Sequence, residues 1–453
     1  MSQIAEEAYA LVQSGNTKAA MALVNKGINK DPDDMSLLMV GASVLTREQC
    51  WGMAFNLLKR IAQTHPTPEV LNNLGMCASS LASQTGRDKY LDEAEAYLRR
   101  AFKKNQGYEV TANLSLVMLH KLDLAASEHF AKKCLEIEPG NLSARETLGY
   151  VHLHRGEWYQ GFGNFEFALG GKYRTPPKGK YWEQGFKGGR LFLRGEQGIG
   201  DEISYASVIP DAANDNEIVF ECDKRLEGLF RRSFPNVTVI GERFAEAKTY
   251  DSEDFDRVAL VGSLFMQYRR KDEDFPRTPF LVPDPERRIQ WRALLDTLPG
   301  KKVGIAWTGG LENTFRHRRS FALETLLPIL KTPGITWVSL QYSDSEGELE
   351  VMRERHGIDI KSWPRATGKG VDYDETAALM MELDAVVSTT TAVVHLAGAI
   401  GKKAYVLVPK KNRWFYSSDT NKHRWYDSVE LFKQADKWPV EKLADRLKAD
   451  LCG

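Results

Sequence analysis

The stretch GEQGIGDEI at 195–203 follows the apolar run LFL at 191–193. It sets Gly195, Gln197, Gly198 and Gly200 beside the acidic pair Asp201 and Glu202. A phosphate cradle, a catalytic loop and a tight turn all use such residues, because glycine lets the backbone pass close to a ligand and carboxylates move protons. The spacing matches neither G-x-G-x-x-G nor G-x-x-x-x-G-K-[ST], so the stretch is neither a dinucleotide fingerprint nor a P-loop. A second candidate is DAVVSTTTAVVHLAGAIG at 384–401. Asp384–Ser388 reads as a strand. Thr389, Thr390 and Thr391, then Ala392, read as the start of a helix whose C-terminal cap is Gly401. A helix N-terminus offers unpaired N–H groups and a positive dipole end, and hydroxyls add donors for a phosphate or diphosphate. Plain threonine capping uses the same residues.

A third candidate begins where the strand KVGIAW (302–307) ends. Trp307, Thr308 and Gly309 lie at that end, and ligands bind at the carboxyl ends of strands in open α/β sheets. LENTFRHRRS (311–320) follows, with Arg316, Arg318 and Arg319. A charge run is ordinarily a solvated face, whereas a guanidinium in a cleft suits a diphosphate through paired hydrogen bonds. Other signals are set aside. Asp372-Tyr373-Asp374 has the metal-diphosphate D-x-D form but precedes a helix, where acids are favoured anyway. His152 and His154 alternate too closely to share one helix face and have no third ligand nearby in sequence. The stretch NRWFYSSDTNKHRWYDS (412–428) is aromatic and basic; it suits stacking on a base or sugar, contact with single-stranded nucleic acid, or packing.

Two textures carry these candidates. Up to residue 170 the chain reads as successive amphipathic helices. Pro32 and Pro66 are 34 positions apart, as are Asn105 and Pro139, and the longer middle step holds an insertion, SQTGRDKY, at 83–90. A 34-residue helix–turn–helix period marks tetratricopeptide repeats. Leu74-Gly75, Ala94 and Leu98, then Leu148-Gly149-Tyr150 and Gly156, stand where that pattern wants small and apolar residues. The first repeat is weakly patterned and reads as a cap. Such an array presents a concave surface to a peptide, a partner protein or another copy of the chain.

Residues 171–189 are rich in Gly, Pro and Lys and read as a linker. Beyond them, RLFLR, EIVFE, VTVIG, RVALVG, KVGIAW, TWVSLQ, DAVVS and KAYVLV alternate with helical stretches, the pattern of parallel α/β sheets covered on both faces. Two lobes are expected, 190–298 and 299–453, joined through the proline-rich FPRTPFLVPDPERRIQW.

Hydrophobic residues make up 42% of the 453 residues and charged ones 27%, the mix of a soluble globular protein in more than one domain. Lys+Arg and Asp+Glu are equal at 61 each, which disfavours nucleic acid as the general partner. The N-terminus lacks a secretory pattern, and no run of about 18 apolar residues would span a membrane. Cys50, Cys77, Cys134, Cys222 and Cys452 form no C-x-x-C and read as reduced, buried thiols of a cytoplasmic protein.

LRGEQGIGDEISYASVIP, VGIAWTGG, RRSFALETLLPIL, WVSLQ, DETAAL and TTTAVVHLAGAIGKKAYVLVP occur in this order. Together they resemble the GT-B glycosyltransferases of the bacterial heptosyltransferase kind, and more distantly the O-linked N-acetylglucosamine transferases, in versions fused to tetratricopeptide repeats. The resemblance implies an α + α/β chain: a tetratricopeptide α-solenoid, then a GT-B fold of two Rossmann-like lobes. It implies an acceptor in the first lobe and a nucleotide-diphosphate sugar in the second. No metal or other cofactor is required, because helix dipoles and basic side chains neutralise the leaving diphosphate.

By the same resemblance Asp201 is the general base and Glu202 its fallback, although Asp201 also suits a helix cap. Gly195, Gln197, Gly198 and Gly200 form the acceptor-side loop. Arg319 is a phosphate ligand, and Gln341 reads the base or ribose. Glu375 and Thr376 begin a helix facing that region, and His395 stands near the donor or packs in the core. The family's V-D-T-A-V-A-H turn appears here as STTTAVVH, with Thr390 in the Asp position, which removes a negative charge near the donor. Transfer to a hydroxyl of a protein or glycan, with inversion as the family resemblance implies, and recruitment through the repeats are therefore expected. A non-catalytic scaffold binding a nucleotide or glycan, and transfer to a modified nucleic acid base, are the alternatives.

Overall fold

The computed structural model describes residues 2–167, 175–246, 248–249, 254–310, 314–368, 370–417 and 420–452. Residues 171–174 of the expected linker and 311–313 of the arginine run lie outside them. The chain forms two compact units, Met1–Leu148 with Leu311–His317, and Gly149–Gly310 with Arg318–Gly453.

The first unit contains α1 (Gln3–Gln13), α2 (Thr17–Ile28), α3 (Met35–Arg47), α4 (Trp51–Thr64), α5 (Pro68–Thr85), α6 (Lys89–Lys104), α7 (Tyr108–Lys121) and α8 (Leu124–Ile137). Helix α9 (Leu142–Arg155) runs across the division, and α10 (Trp158–Phe167) belongs to the second unit. The last helical pair thus counts partly with the α/β region, and the division falls before residue 170. Consecutive helices pack as pairs, as in tetratricopeptide repeats. The small residues explain why: a Cβ on Gly75 of α5 would lie 2.6 Å from Leu98 Cγ of α6. The marked residues follow the second helix of each pair, Pro32 after α2, Pro66 after α4, Asn105 after α6 and Pro139 after α8. The insertion lengthens α5 and ends it at Gly86, whose φ of 77° favours a residue without Cβ.

The second unit continues with β1 (Arg190–Arg194), α11 (Ile199–Tyr205), α12 (Ile209–Asp215), β2 (Glu217–Glu221), α13 (Glu227–Ser233), β3 (Thr238–Ile240), β4 (Arg257–Leu260), α14 (Phe265–Tyr268) and α15 (Pro285–Leu295). Then come β5 (Lys301–Ala306), α16 (Leu327–Leu330), β6 (Ile335–Ser339), α17 (Glu346–His356), α18 (Pro364–Thr367), α19 (Tyr373–Glu382), β7 (Ala385–Thr389), α20 (Ala392–Ala399), β8 (Ala404–Val408), β9 (Val429–Lys433) and α21 (Val440–Leu451). All eight expected strands are present. The ninth, β9, was not expected.

The strands form two parallel sheets, ordered β3-β2-β1-β4 and β6-β5-β7-β8-β9. Their apolar runs are continuous because both faces are covered. Leu191 and Leu193 of β1 pack on one side, and Phe192 packs on the other with Val219, Phe255 and Val258. The end of the linker is not loose: Trp182 N donates to Val258 O at 2.9 Å, which covers the edge strand β4. No described helix is long and apolar enough to cross a membrane. Cys77, Cys134 and Cys222 are buried free thiols, whereas Cys452 is exposed, contrary to expectation.

Candidate functional site

Each sheet reverses its winding once. In the first sheet β1 lies between β2 and β4; in the second, β5 lies between β6 and β7. The crevice beyond the carboxyl ends at such a reversal is where α/β sheets hold ligands. The loops after β1 and β4, and those after β5 and β7, carry most of the residues singled out above.

The loop after β1 is a tight turn tied down on every side. Gly195 N donates to Glu221 O at 2.7 Å, and the Glu196 carboxylate accepts Gly262 N at 2.9 Å, joining the ends of β1 and β4. Gln197 has φ 59°, and its side chain donates to the Tyr205 hydroxyl at 3.2 Å. A Cβ on Gly195 would fall 2.5 Å from Glu202 Cδ, so glycine is required over that carboxylate. Glu202 is fully buried, paired with the Arg243 guanidinium, and accepts Asp223 N at 2.7 Å. Burial pushes it up to about 7 against the pull of Arg243. Glu202 therefore supports the loop from beneath, in contrast to the fallback base expected.

Asp201 is turned differently. One carboxylate oxygen accepts Gly198 N at 3.2 Å, bonding back across the first turn of α11. The other lies 3.3 Å from an Arg413 nitrogen in the loop after β8. It is 8% exposed.

In the second sheet, Gln341 staples two loops. Its oxygen accepts Trp307 N at 3.2 Å and Thr308 N at 3.1 Å, and its nitrogen donates to the Thr308 hydroxyl at 2.8 Å. The amide expected to read a base or ribose is committed to these bonds. Trp307 is buried, its indole N–H on Glu348 at 3.0 Å. Gly309 is held against Thr391, where a Cβ would meet Thr391 Cγ2 at 2.2 Å. Gly310 has φ 87° and lies against Arg319, where a Cβ would meet Nη2 at 2.0 Å. Arg319 is the buried member of its run. Burial, then the nearby Arg413 charge, lowers it to about 10.

Of the three threonines, Thr389 ends β7, Thr390 is buried between strand and helix, and Thr391 caps α20 by accepting Val393 N at 3.2 Å. The helix starts at Ala392, three residues later than a start at Thr389 would put it, with Thr389 still in the strand. A Cβ on Gly200 would lie 3.1 Å from Ala392 Cα, so α11 and α20 meet at their N-termini.

His395 is packed. Ser204 Oγ donates to Gly200 O at 2.9 Å, so His395 Nδ1–H donates to Ser204 Oγ at 2.7 Å and the Tyr416 hydroxyl donates to Nε2 at 3.3 Å. Burial, with Arg413 adding to it, lowers the imidazole to about 3 and keeps it neutral.

Two residues fall elsewhere than expected. Glu375 accepts the Trp291 indole N–H at 3.0 Å and faces Arg287 of α15, lining a cavity of about 540 Å³ with Arg365 and Asp372. Thr376 donates to Ala366 O at 2.5 Å, facing α18. Asp372 caps α19 and pairs with Arg287 at 2.8 Å, while Asp374 pairs with Arg232 at 2.7 Å, so both D-x-D acids have structural partners. His152 pairs with Glu157, and His154 bonds Ser417 at 2.6 Å. Among the described residues no group of three or more His, Cys, Asp or Glu could hold a metal. The aromatic stretch after β8 is core: Trp414, Phe415, Tyr416, Trp425 and Tyr426 are buried, with Trp414 stacked on Phe415 at 3.8 Å. Those rings are not a surface for single-stranded nucleic acid.

The residues missed from the sequence are Arg413 and Tyr416. Both lie in the aromatic and basic stretch 412–428 just after the apolar strand KAYVLV, and that texture is the signal that could have found them.

No family model matches the chain. Protein FlbA of Caulobacter vibrioides is 30% identical over 428 residues, spanning 88% of this chain and 70% of that protein. Among solved structures, MamA aligns at 18% identity and TM-score 0.32 over 36% of this chain and 91% of its own. A thermophilic TPR protein of Thermus thermophilus aligns at 18% identity and TM-score 0.32, over 37% of this chain and 88% of its own.

Proposed function

The chain belongs to the family of Protein FlbA, and we propose that its α/β part is a glycosyltransferase of the GT-B type. In this reading a nucleotide-diphosphate sugar donates its sugar to an acceptor hydroxyl. Asp201 takes the hydroxyl proton as the oxygen bonds to the anomeric carbon; the bond from that carbon to the diphosphate oxygen breaks, and its electron pair leaves with the diphosphate. Arg319 and the capped N-terminus of α20 receive that charge, so neither a metal nor another cofactor is invoked. Inversion rests on the family resemblance alone.

The observation that carries the reading is the meeting of opposite charges from the loops after β1, β5 and β8. The Asp201 carboxylate from the first sheet's loop lies 3.3 Å from Arg413 of the second sheet, with Arg319 beside Arg413 under Gly310. A base and an anion site in one crevice is what glycosyl transfer from a diphosphate needs. The helical repeats would recruit a protein or glycan acceptor, a partner protein or a second copy. A cytoplasmic location suits free cysteines and a nucleotide-sugar donor.

Thr390 favours a second reading. It is uncharged and 4% exposed where the resembled family has an acid, which suits a scaffold that binds a nucleotide or glycan without turnover.

A thermal-shift screen against UDP-, GDP-, ADP- and CMP-sugars, followed by assay of released nucleotide, tests both. A bound donor raises the melting temperature by mass action. A shift with slow release supports the enzyme, and a shift without release for any acceptor tried favours the scaffold. No shift at millimolar donor would overturn the donor site.

A further inference from the structure

Arg413 belongs to the loop after β8 and Asp201 to α11, so their contact joins the two sheets' crevice-facing loops. It is a single contact at 3.3 Å, without the paired bonds a guanidinium makes with a well-aligned carboxylate. The Arg413 side chain is 40% exposed. Its guanidinium lies 5.7 Å from the centroid of Phe415, whose ring is stacked on Trp414 in the buried aromatic cluster. Among the described residues, the charged end is thus half exposed and held by one ion-pair contact and one ring, with no hydrogen bond to either. Asp201 needs no help from Arg413 to keep its place, because Gly198 N holds the other carboxylate oxygen.

Arg319, a second guanidinium, lies near enough to feel the charges of both Arg413 and Asp201. Burial, then the like charge of Arg413, disfavours the charged form of Arg319. An anion between the two guanidinium groups would favour that form. A diphosphate also offers a guanidinium the bidentate geometry that Asp201 does not.

We propose that Arg413 is a shared ligand: it pairs with Asp201 in this structure and turns to the donor's diphosphate when the donor binds, so that donor binding uncovers the Asp201 carboxylate for the acceptor. The order of events follows. Donor enters first, Arg413 and Arg319 close on its diphosphate, and only then does Asp201 face the acceptor hydroxyl without a cation on it. This rests on the donor site proposed above and adds to it a coupling between donor charge and base.

A double-mutant cycle tests the coupling, with inorganic pyrophosphate as the probe and calorimetric titration of the full chain as the readout. Asp201→Asn removes the internal competitor, and pyrophosphate should bind roughly fivefold tighter than to the parent, the scale of a partly exposed ion pair. Arg413→Gln should bind it more weakly than the parent. In the double variant the gain from Asp201→Asn should vanish, because no shared arginine remains to be released. If Asp201→Asn gives the same gain with and without Arg413, the effect is simple repulsion and the proposal falls. If Asp201→Asn weakens binding, Asp201 holds Arg413 in place and the proposal falls equally. If Arg413→Gln melts early, Arg413→Met, which keeps an unbranched apolar stem, replaces it in the same cycle. Binding that none of the Arg413 variants alters would leave the donor site standing and overturn this role for Arg413. No pyrophosphate binding by any form would overturn the donor site and this proposal together.

Discussion

Gly200 and Ala392 meet backbone to backbone: a Cβ on Gly200 would lie 3.1 Å from the Cα of Ala392 and 3.2 Å from the His395 ring. Helix α11 of the first sheet and helix α20 of the second can approach this closely only because residue 200 has no side chain. Neither neighbour can give way easily, since one is main chain and the other a ring bonded at both nitrogens.

Gly200→Ala should therefore force α11 away from α20. The expected loss is about 1–3 kcal/mol, the usual cost of overpacking. Chemical denaturation measures it, and a variant as stable as the parent would mean the contact is looser than described.

Asp201→Asn should bind donor more tightly, as release of Arg413 requires, and lose transfer by about 100- to 10,000-fold, the range for a general base. Single-turnover assays with a saturating donor separate the two effects. Transfer at the parental rate would remove Asp201 from the chemistry.

Gly310→Ala should behave like Arg319→Ala. The added methyl would stand 2.0 Å from the Arg319 guanidinium, and a φ of 87° resists any side chain. Both variants should weaken donor binding about tenfold or more, as the loss of a charge-assisted hydrogen bond does. Parental affinity in Arg319→Ala would return that arginine to a purely structural role.

His395 predicts a pH effect. The imidazole is held down to about 3 by burial, then by Arg413, against an ordinary 6.5. Its folded value is depressed, so the unfolded chain binds the proton first. The stability it contributes is full above pH 6.5 and declines as the pH falls toward 3, by up to about 1.4 kcal/mol per pH unit. His395→Gln should flatten the loss of stability between about pH 6.5 and 4.5 relative to the parent. His154, lowered to about 4, and Glu202, raised to about 7, titrate in both proteins and cancel in the comparison. Parallel pH curves for the two proteins would show that His395 is not the group responsible.

Much of the architecture was legible because it repeats or alternates. The helical pairs announce themselves through a period of 34 and small residues such as Gly75, whose missing Cβ admits Leu98. The expected strands are apolar runs because helices cover both faces of each sheet. Strand β9 was missed because Glu430 and Lys433 break its run and it lies at an edge.

The site was legible only in part. Asp201, Gly309 and Thr391 stand soon after strands, and position along a strand can be read from sequence. Which loops meet cannot. That depends on the order β6-β5-β7-β8-β9 and on how closely α11 approaches α20. Glu202 directly follows Asp201 in sequence, yet one turns under the loop to Arg243 and the other into the crevice toward Arg413, because successive residues of a helix point about 100° apart. Gln341, expected to read a base or ribose, is a staple, since its partners lie on a neighbouring strand's loop. By itself the sequence determined the periodic helices, the strands and the residue types available at their ends, because these follow from local chemistry. The partner of each charge was decided only by the tertiary structure, because an ion pair depends on distance in space and chain spacing does not set it.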